Sequence, residues 1–246
     1  MRRTIEFIFF AMVFTISAAA SGEENDRPLK VCFLSGCNTY NSEESLPPFQ
    51  EYLERHYNAR TTRVVRKADD DLPGLEKLDD CDVAFIFIKR MKLKGEQLER
   101  FKSYVTSGRP IVAVRTASHA VQTWLEFDHE VLGGNYHNHH PVGPVMRIDV
   151  TSGSERHPIL AGVELKSVKD ALYKNDGHTP EIHVLLTGTI ADQPTEAIAW
   201  TREYKGGRVF YTSLGAQDTF QQPDFRRMLA NALFWTARRE PESAGQ

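Results

Sequence analysis

Five of the nine histidines in this 246-residue chain fall between His119 and His140. They follow directly on residues 110–115, Pro-Ile-Val-Ala-Val-Arg, whose apolar core reads as a buried strand. Imidazole suits proton transfer near neutrality and is the commonest protein metal ligand. In open α/β sheets, ligands bind in the crevice beyond the carboxyl ends of parallel strands. His119, His137, His139 and His140 are therefore the candidate acid–base residues. His137 and His139 also form a His-x-His pair whose side chains point the same way on an extended segment. That makes a divalent metal such as zinc a candidate cofactor, with His119, His129 or Asp128 as the third ligand a catalytic zinc needs. The plainer alternative is a set of loop histidines bonded to backbone.

Arg115, at the strand end, is a candidate for binding a carboxylate or hydroxyl groups; the alternative is an ion pair with Glu126, Asp128 or Glu130. Ser35 and Arg90 stand just past two other predicted strands, and Gln217 and Asp218 past the last. These four complete the candidate substrate-binding set. For Asp218 the alternative is a cap on a following helical turn.

The elements that must position these residues alternate. Residues 29–34, 61–65, 83–88 and 111–114 read as buried strands, and 49–56 and 95–105 repeat apolar residues at helical spacing. A further helix is expected over 120–131, closed by Gly133-Gly134. From residue 145 shorter strands follow at 145–150, 182–187, 197–200 and 209–212, with Lys205-Gly206-Gly207 as a hairpin turn between the last two. Pro223 opens a final helix with Phe225, Met228, Leu229, Ala232 and Trp235 on one face. Strand–helix alternation with continuous apolar strands implies a parallel sheet covered on both faces, in one domain over residues 28–239.

Residues 1–20 carry Arg2 and Arg3, then an apolar stretch ending Ala18-Ala19-Ala20, and read as a secretory signal too short to span a bilayer. The protein is thus expected to be secreted or periplasmic, touching a membrane only through that segment if it is uncleaved. Losing Arg2, Arg3 and Glu6 removes a net +1 and takes the formal charge from −3 to −4. A mildly acidic chain without a Lys/Arg block is not built for nucleic acid. Three cysteines make no disulfide framework, but one bridge between Cys37 and Cys81 is open in an oxidising compartment.

Several segments in order carry a resemblance: PIVAVRTASH at 110–119, LGGNYHNHHP at 132–141, HPILAG at 157–162, DALY at 170–173, and Trp200 followed by YKGGRVFYTSLG at 204–215 and PDFRR at 223–227. Together they resemble the ThuA-like (trehalose-utilisation) family. The resemblance implies a three-layer α/β/α domain, flavodoxin-like and class I glutamine amidotransferase-like, its mostly parallel sheet carrying a β-rich C-terminal extension. It also implies a carbohydrate substrate, a sugar or keto-sugar derivative, with a homo-oligomer as one arrangement. Hydrolysis or elimination assisted by one of the histidines is the expected chemistry, and a non-catalytic sugar-binding or accessory role is the alternative. In the amidotransferases a cysteine nucleophile sits on the turn that Arg115 occupies here, and a guanidinium has no lone pair to attack with. Amide hydrolysis of that kind is excluded. The chain also departs from its relatives at Ala171 and Ala216.

Overall fold

The alternating runs assemble one large sheet. The structure is a computed structural model that describes residues 27–244; the expected signal segment lies outside the described residues. The strands of the parallel half are β1 (Leu29–Gly36), β2 (Ala59–Val65), β3 (Val83–Ile88), β4 (Ile111–Val114) and β11 (Gly207–Thr212). Their order is β2-β1-β3-β4-β11, and every pairing among them is parallel. Beyond β11 the sheet turns antiparallel through β10 (Glu196–Tyr204), β9 (His183–Thr189), β6 (Met146–Val150) and β7 (Ser167–Val168). A separate two-stranded ribbon pairs β5 (Asn138–His139) with β8 (Tyr173–Lys174).

Side chains alternate across a strand, so each buried strand feeds two cores. Val31, Phe33, Phe85, Phe87 and Val114 pack on one face, under α1 (Ser42–His56) and α3 (Pro223–Thr236). Cys32, Leu34, Ile86, Ile88 and Ala113 pack on the other, under α2 (Gly95–Thr106) and the Trp124–Phe127 region. Cys37 belongs to the first face and Cys81 to the second, so the sheet stands between the two thiols and the bridge considered for them does not form.

Two expectations need correction. The helix expected from residue 49 already begins at Ser42 and runs through Pro47 and Pro48. Those prolines have no amide hydrogen to give the carbonyls of Glu43 and Glu44, both exposed residues. The helix expected over 120–131 does not form. Met91 pairs in parallel with this stretch, donating to the Ala120 carbonyl at 2.7 Å and accepting from the Gln122 amide at 2.7 Å, which removes the groups a helix would use. Only a π-helical turn, Phe127–Leu132, survives at its end. The hairpin is as expected: Lys205 and Gly206 have φ of +49° and +82°, the pair of positive values a tight two-residue turn requires.

Candidate active site at the carboxyl edge of the sheet

The carboxyl ends of β1, β3, β4 and β11 open on one edge, and most of the sequence-nominated residues lie just past them. Arg90 and Arg115 both sit in the left-handed region, with φ of +49° and +53°. A non-glycine residue held there is strained by of order 1–3 kcal/mol and persists only where its surroundings fix it. At Arg115 those surroundings are explicit. Its guanidinium lies between the rings of Tyr40 and Tyr173, 4.3 and 4.6 Å from their centroids. It donates to the Tyr40 hydroxyl (2.9 Å) and to the carbonyls of Ser213 (2.5 Å) and Ala171 (3.2 Å), and stands 3.5 Å from an Asp170 oxygen. Burial opposes its charge, but Asp170 and the two tyrosines outweigh that and keep it protonated. The ion pair weighed as the alternative, with Glu126, Asp128 or Glu130, is made with Asp170 instead, because the guanidinium points across the β11 end rather than along its own loop. Fully buried, Arg115 spends its contacts inside the protein and builds the wall of the site.

Asp170 also accepts the amides of Gly215 (3.0 Å) and Ala216 (2.9 Å) and the Thr219 hydroxyl (2.9 Å). It thus clips the loop after β11 to the Arg115 elbow and leaves those two amides unavailable to hold an oxyanion.

A short 3₁₀ turn, Arg115–His119, carries His119 over the edge. Its ring stacks on Tyr136 with centroids 4.5 Å apart, and Tyr136 in turn meets Tyr173 at 4.4 Å. The Ser118 hydroxyl donates to the Arg115 carbonyl (3.3 Å) and contacts His119 Nδ1 at 3.0 Å. That contact holds the ring through Nδ1, and the Tyr211 hydroxyl donates to the same Arg115 carbonyl at 2.9 Å. Burial, reinforced by Arg90, Lys89 and Arg115, pushes the His119 pKa down to about 3. The ring is neutral across the ordinary pH range.

Behind His119 lies a cavity of about 220 Å³ whose polar lining includes Ser118, His119, Asp128 and Asn135, and whose apolar lining includes Val121, Trp124, Leu125 and Phe127. The π-helical turn delivers Asp128 into it. One carboxyl oxygen, Oδ2, accepts the Tyr136 amide at 2.7 Å, whereas Oδ1 is buried without a hydrogen-bond partner. Burial pushes this carboxyl up to about 7, against the opposing pull of the Tyr136 amide and His129. The Gly133-Gly134 pair makes the arrangement possible. Gly133 has φ of +76°, and a Cβ on Gly134 would lie 2.6 Å from Asp128 Oδ1.

The other nominated histidines do not converge with His119. His137 is exposed, its Nε2 3.0 Å from Asp176, and His139 is exposed with Nδ1 2.8 Å from the His140 carbonyl. His140 is buried away from the edge, where its ring nitrogens meet Gln193 (2.8 Å) and Glu196 (2.7 Å). Among the described residues no three His, Cys, Asp or Glu side chains gather as a metal site. His137 and His139 thus lack the third protein ligand that a catalytic zinc requires. Ser35 is buried, its hydroxyl 3.0 Å from that of Ser42. Arg90 is exposed beside His119, its amide donating to the His119 carbonyl at 2.9 Å. Gln217 ties its loop to α1 through Asn41 (3.0 Å) and Glu44 (2.7 Å). Asp218 is exposed and its side chain makes no capping bond to the turn that follows.

Sequence reasoning did not single out Tyr40, Tyr136, Tyr173 or Asp170 as parts of the site, and it weighed Asp128 only as a metal ligand or ion-pair partner. The one local signal was a carboxylate six residues before the second glycine of a Gly-Gly pair, and only the backbone shows that Gly134 makes room for it.

Comparison with known proteins agrees with this architecture. A family model described as "Trehalose utilisation" (ThuA) matches residues 30–236. Among solved structures, a ThuA-like protein from Parabacteroides merdae is 20% identical, with a TM-score of 0.67 over 86% of this chain and 90% of that one. A ThuA-like protein from Bacteroides uniformis is 19% identical, with a TM-score of 0.65 over 85% and 92%. A β-galactosidase from Rahnella sp. R3 is 12% identical with a TM-score of 0.59; the match covers 87% of this chain but 32% of that enzyme. At these identities the likeness is one of fold. No curated protein matches the chain.

Proposed function

The chain belongs to the ThuA (trehalose-utilisation) family, and from that premise we propose that it is an exported enzyme of carbohydrate catabolism acting on a sugar or keto-sugar derivative. The observation that carries this reading is His119: an imidazole stacked on Tyr136, held through Nδ1 by Ser118, and lining a strand-end cavity. A pocket that joins aromatic faces to a few placed polar groups suits a small, hydroxylated ring.

Chemically, a carbonyl at C3 of a glycoside makes the C2 hydrogen acidic and leaves the glycosidic oxygen β to the enolate. His119 takes that C2 proton in an elimination, or the proton of an attacking water in a hydrolysis. Lys89, Arg90 and Arg115, whose charges disfavour an imidazolium, equally favour negative charge developing on a substrate oxygen. Arg115 contributes through position and field, and Tyr136 supplies an aromatic face of the cavity with the buried Tyr173 packed against it. No step is assigned to a metal, since His137 and His139 supply no complete donor set among the described residues.

The test is turnover of synthetic 3-keto-glycosides by the purified protein and by His119→Ala. The variant is expected to lose roughly 10²- to 10⁴-fold in kcat with its fold intact. Full activity in the variant contradicts the reading. Sugar binding by the wild type without any turnover transfers the protein to the accessory role.

A further inference from the structure

We propose that the site is built for an acidic sugar: Lys89 and Arg90, directly after β3, bind a carboxylate or phosphate group that the substrate carries. This rests on the function proposed above and names the substrate class of the same site.

Three observations converge. The first is the backbone. Arg90 is held in the left-handed region, at φ of +49°, where an arginine is strained and a glycine is not. Two bonds to the next strand's loop pin it there: the Arg90 amide donates to the His119 carbonyl at 2.9 Å, and the Met91 amide to the Ala120 carbonyl at 2.7 Å. The Arg90 side chain itself is exposed and takes no part in that anchoring. A cation kept at a strained position without a task in the packing points to a ligand.

The second is the charge. Neither Lys89 nor Arg90 makes an ion pair among the described residues, and the Lys89 ammonium donates to the Thr39 hydroxyl at 2.7 Å. Of the acids carried to this edge, Asp170 faces Arg115 and clips the loop after β11, Glu44 takes the Gln217 amide, and Asp69 pairs with Arg66. Asp218, exposed on the loop after β11, pairs with neither cation. The charges acting on the His119 ring are those of Arg90, Lys89 and Arg115, with no carboxylate among them. Arg115 is balanced by Asp170, so Lys89 and Arg90 remain as positive charge at the edge of a chain whose formal net charge is −3. Such a local excess draws an anion.

The third is placement. Both cations stand beside the His119 ring, which stacks on Tyr136, and Arg90 acts on the Tyr136 hydroxyl as well. The cavity that His119 and Tyr136 line is more polar than apolar. An aromatic face for a sugar ring, polar groups for its hydroxyls and two cations for an anionic substituent thus lie side by side.

Titration calorimetry of the intact protein at low salt tests this without turnover, with D-glucose, D-glucuronate, D-glucose 6-phosphate and inorganic phosphate as probes. The expected result is an acidic sugar bound roughly tenfold or more tighter than glucose, an advantage that shrinks as salt is added. The better of the two acidic sugars identifies carboxylate or phosphate. In the double variant Lys89→Gln with Arg90→Gln the preference should fall by roughly tenfold or more. Arg90→Gly should weaken it too while unfolding at a higher urea concentration, because glycine accepts the backbone that strains arginine. A lower unfolding midpoint in Arg90→Gly would mean that the side chain serves the fold, and overturns its binding role. Glucose bound as tightly as both acidic sugars, or a preference that survives the double variant, overturns the inference and leaves the proposed function standing. Inorganic phosphate bound as tightly as glucose 6-phosphate overturns it as well, since the cations would then recognise an ion and not a sugar. A protein that binds none of the sugars also overturns it, and turnover of 3-keto-glycosides still decides the function.

Discussion

His119 and Asp128 are shifted in opposite directions by the same desolvation, and folding stability must register both. For His119 the folded pKa of about 3 lies below the ordinary 6.5, so the folded state binds fewer protons and stability is lost as pH falls from about 6.5 toward 3. For Asp128 the folded value of about 7 lies above 3.8, so the folded state binds more protons and stability is lost as pH rises from about 4 to 7. Urea unfolding of wild type and Asp128→Asn at pH 5 and pH 8 isolates the second effect. The variant should gain on the wild type by roughly a few kcal/mol between the two pH values, as expected for a carboxyl pushed by burial from 3.8 up to about 7. A difference that does not change with pH would place Asp128 in contact with water. Neither shift could be read from the sequence. It names an imidazole and a carboxylate in one stretch, but not that burial beside Arg90, Lys89 and Arg115 acts on the first or that a missing Cβ shelters the second.

Among elements, the strands were legible because continuous apolar runs such as Val83–Ile88 admit few other readings. The segment from 120 to 131 was not, since its helical spacing is overridden by backbone bonds to Met91, a partner about thirty residues away in sequence. The same distance problem hid Asp170, which joins the elbow after β4 to the loop after β11 through four contacts across the sheet edge. Asp170→Ala leaves a buried guanidinium without its carboxylate and frees the 215–219 loop. It is expected to cost about 3–5 kcal/mol, measured by chemical denaturation. A loss below 1 kcal/mol would mean that Tyr40, Tyr173 and the two carbonyls hold Arg115 unaided. The histidine pair at 137 and 139 illustrates the converse: its i, i+2 spacing was plain, yet the ribbon of β5 with β8 leaves both rings exposed and apart from His119.

At the scale of the molecule, the site belongs to no single segment. Lys89 and Arg90 follow β3, Arg115 and His119 follow β4, Tyr136 precedes the ribbon strand β5, and Tyr173 begins its partner β8. The parallel half of the sheet supplies the edge, and the segments that form the β5–β8 ribbon fold back beside it. The order of family segments along the chain was enough to expect this scaffold; which histidine it enfolds depends on contacts among all of these parts. The neutrality of His119 is thus a property of the assembled fold, and it leaves the ring unprotonated. Long-range ¹⁵N–¹H NMR of the intact protein, titrated from pH 8 to pH 4, reads it directly. The expected spectrum is a neutral imidazole throughout, protonating only below pH 4; a midpoint near 6.5 would contradict a base buried at this sheet edge.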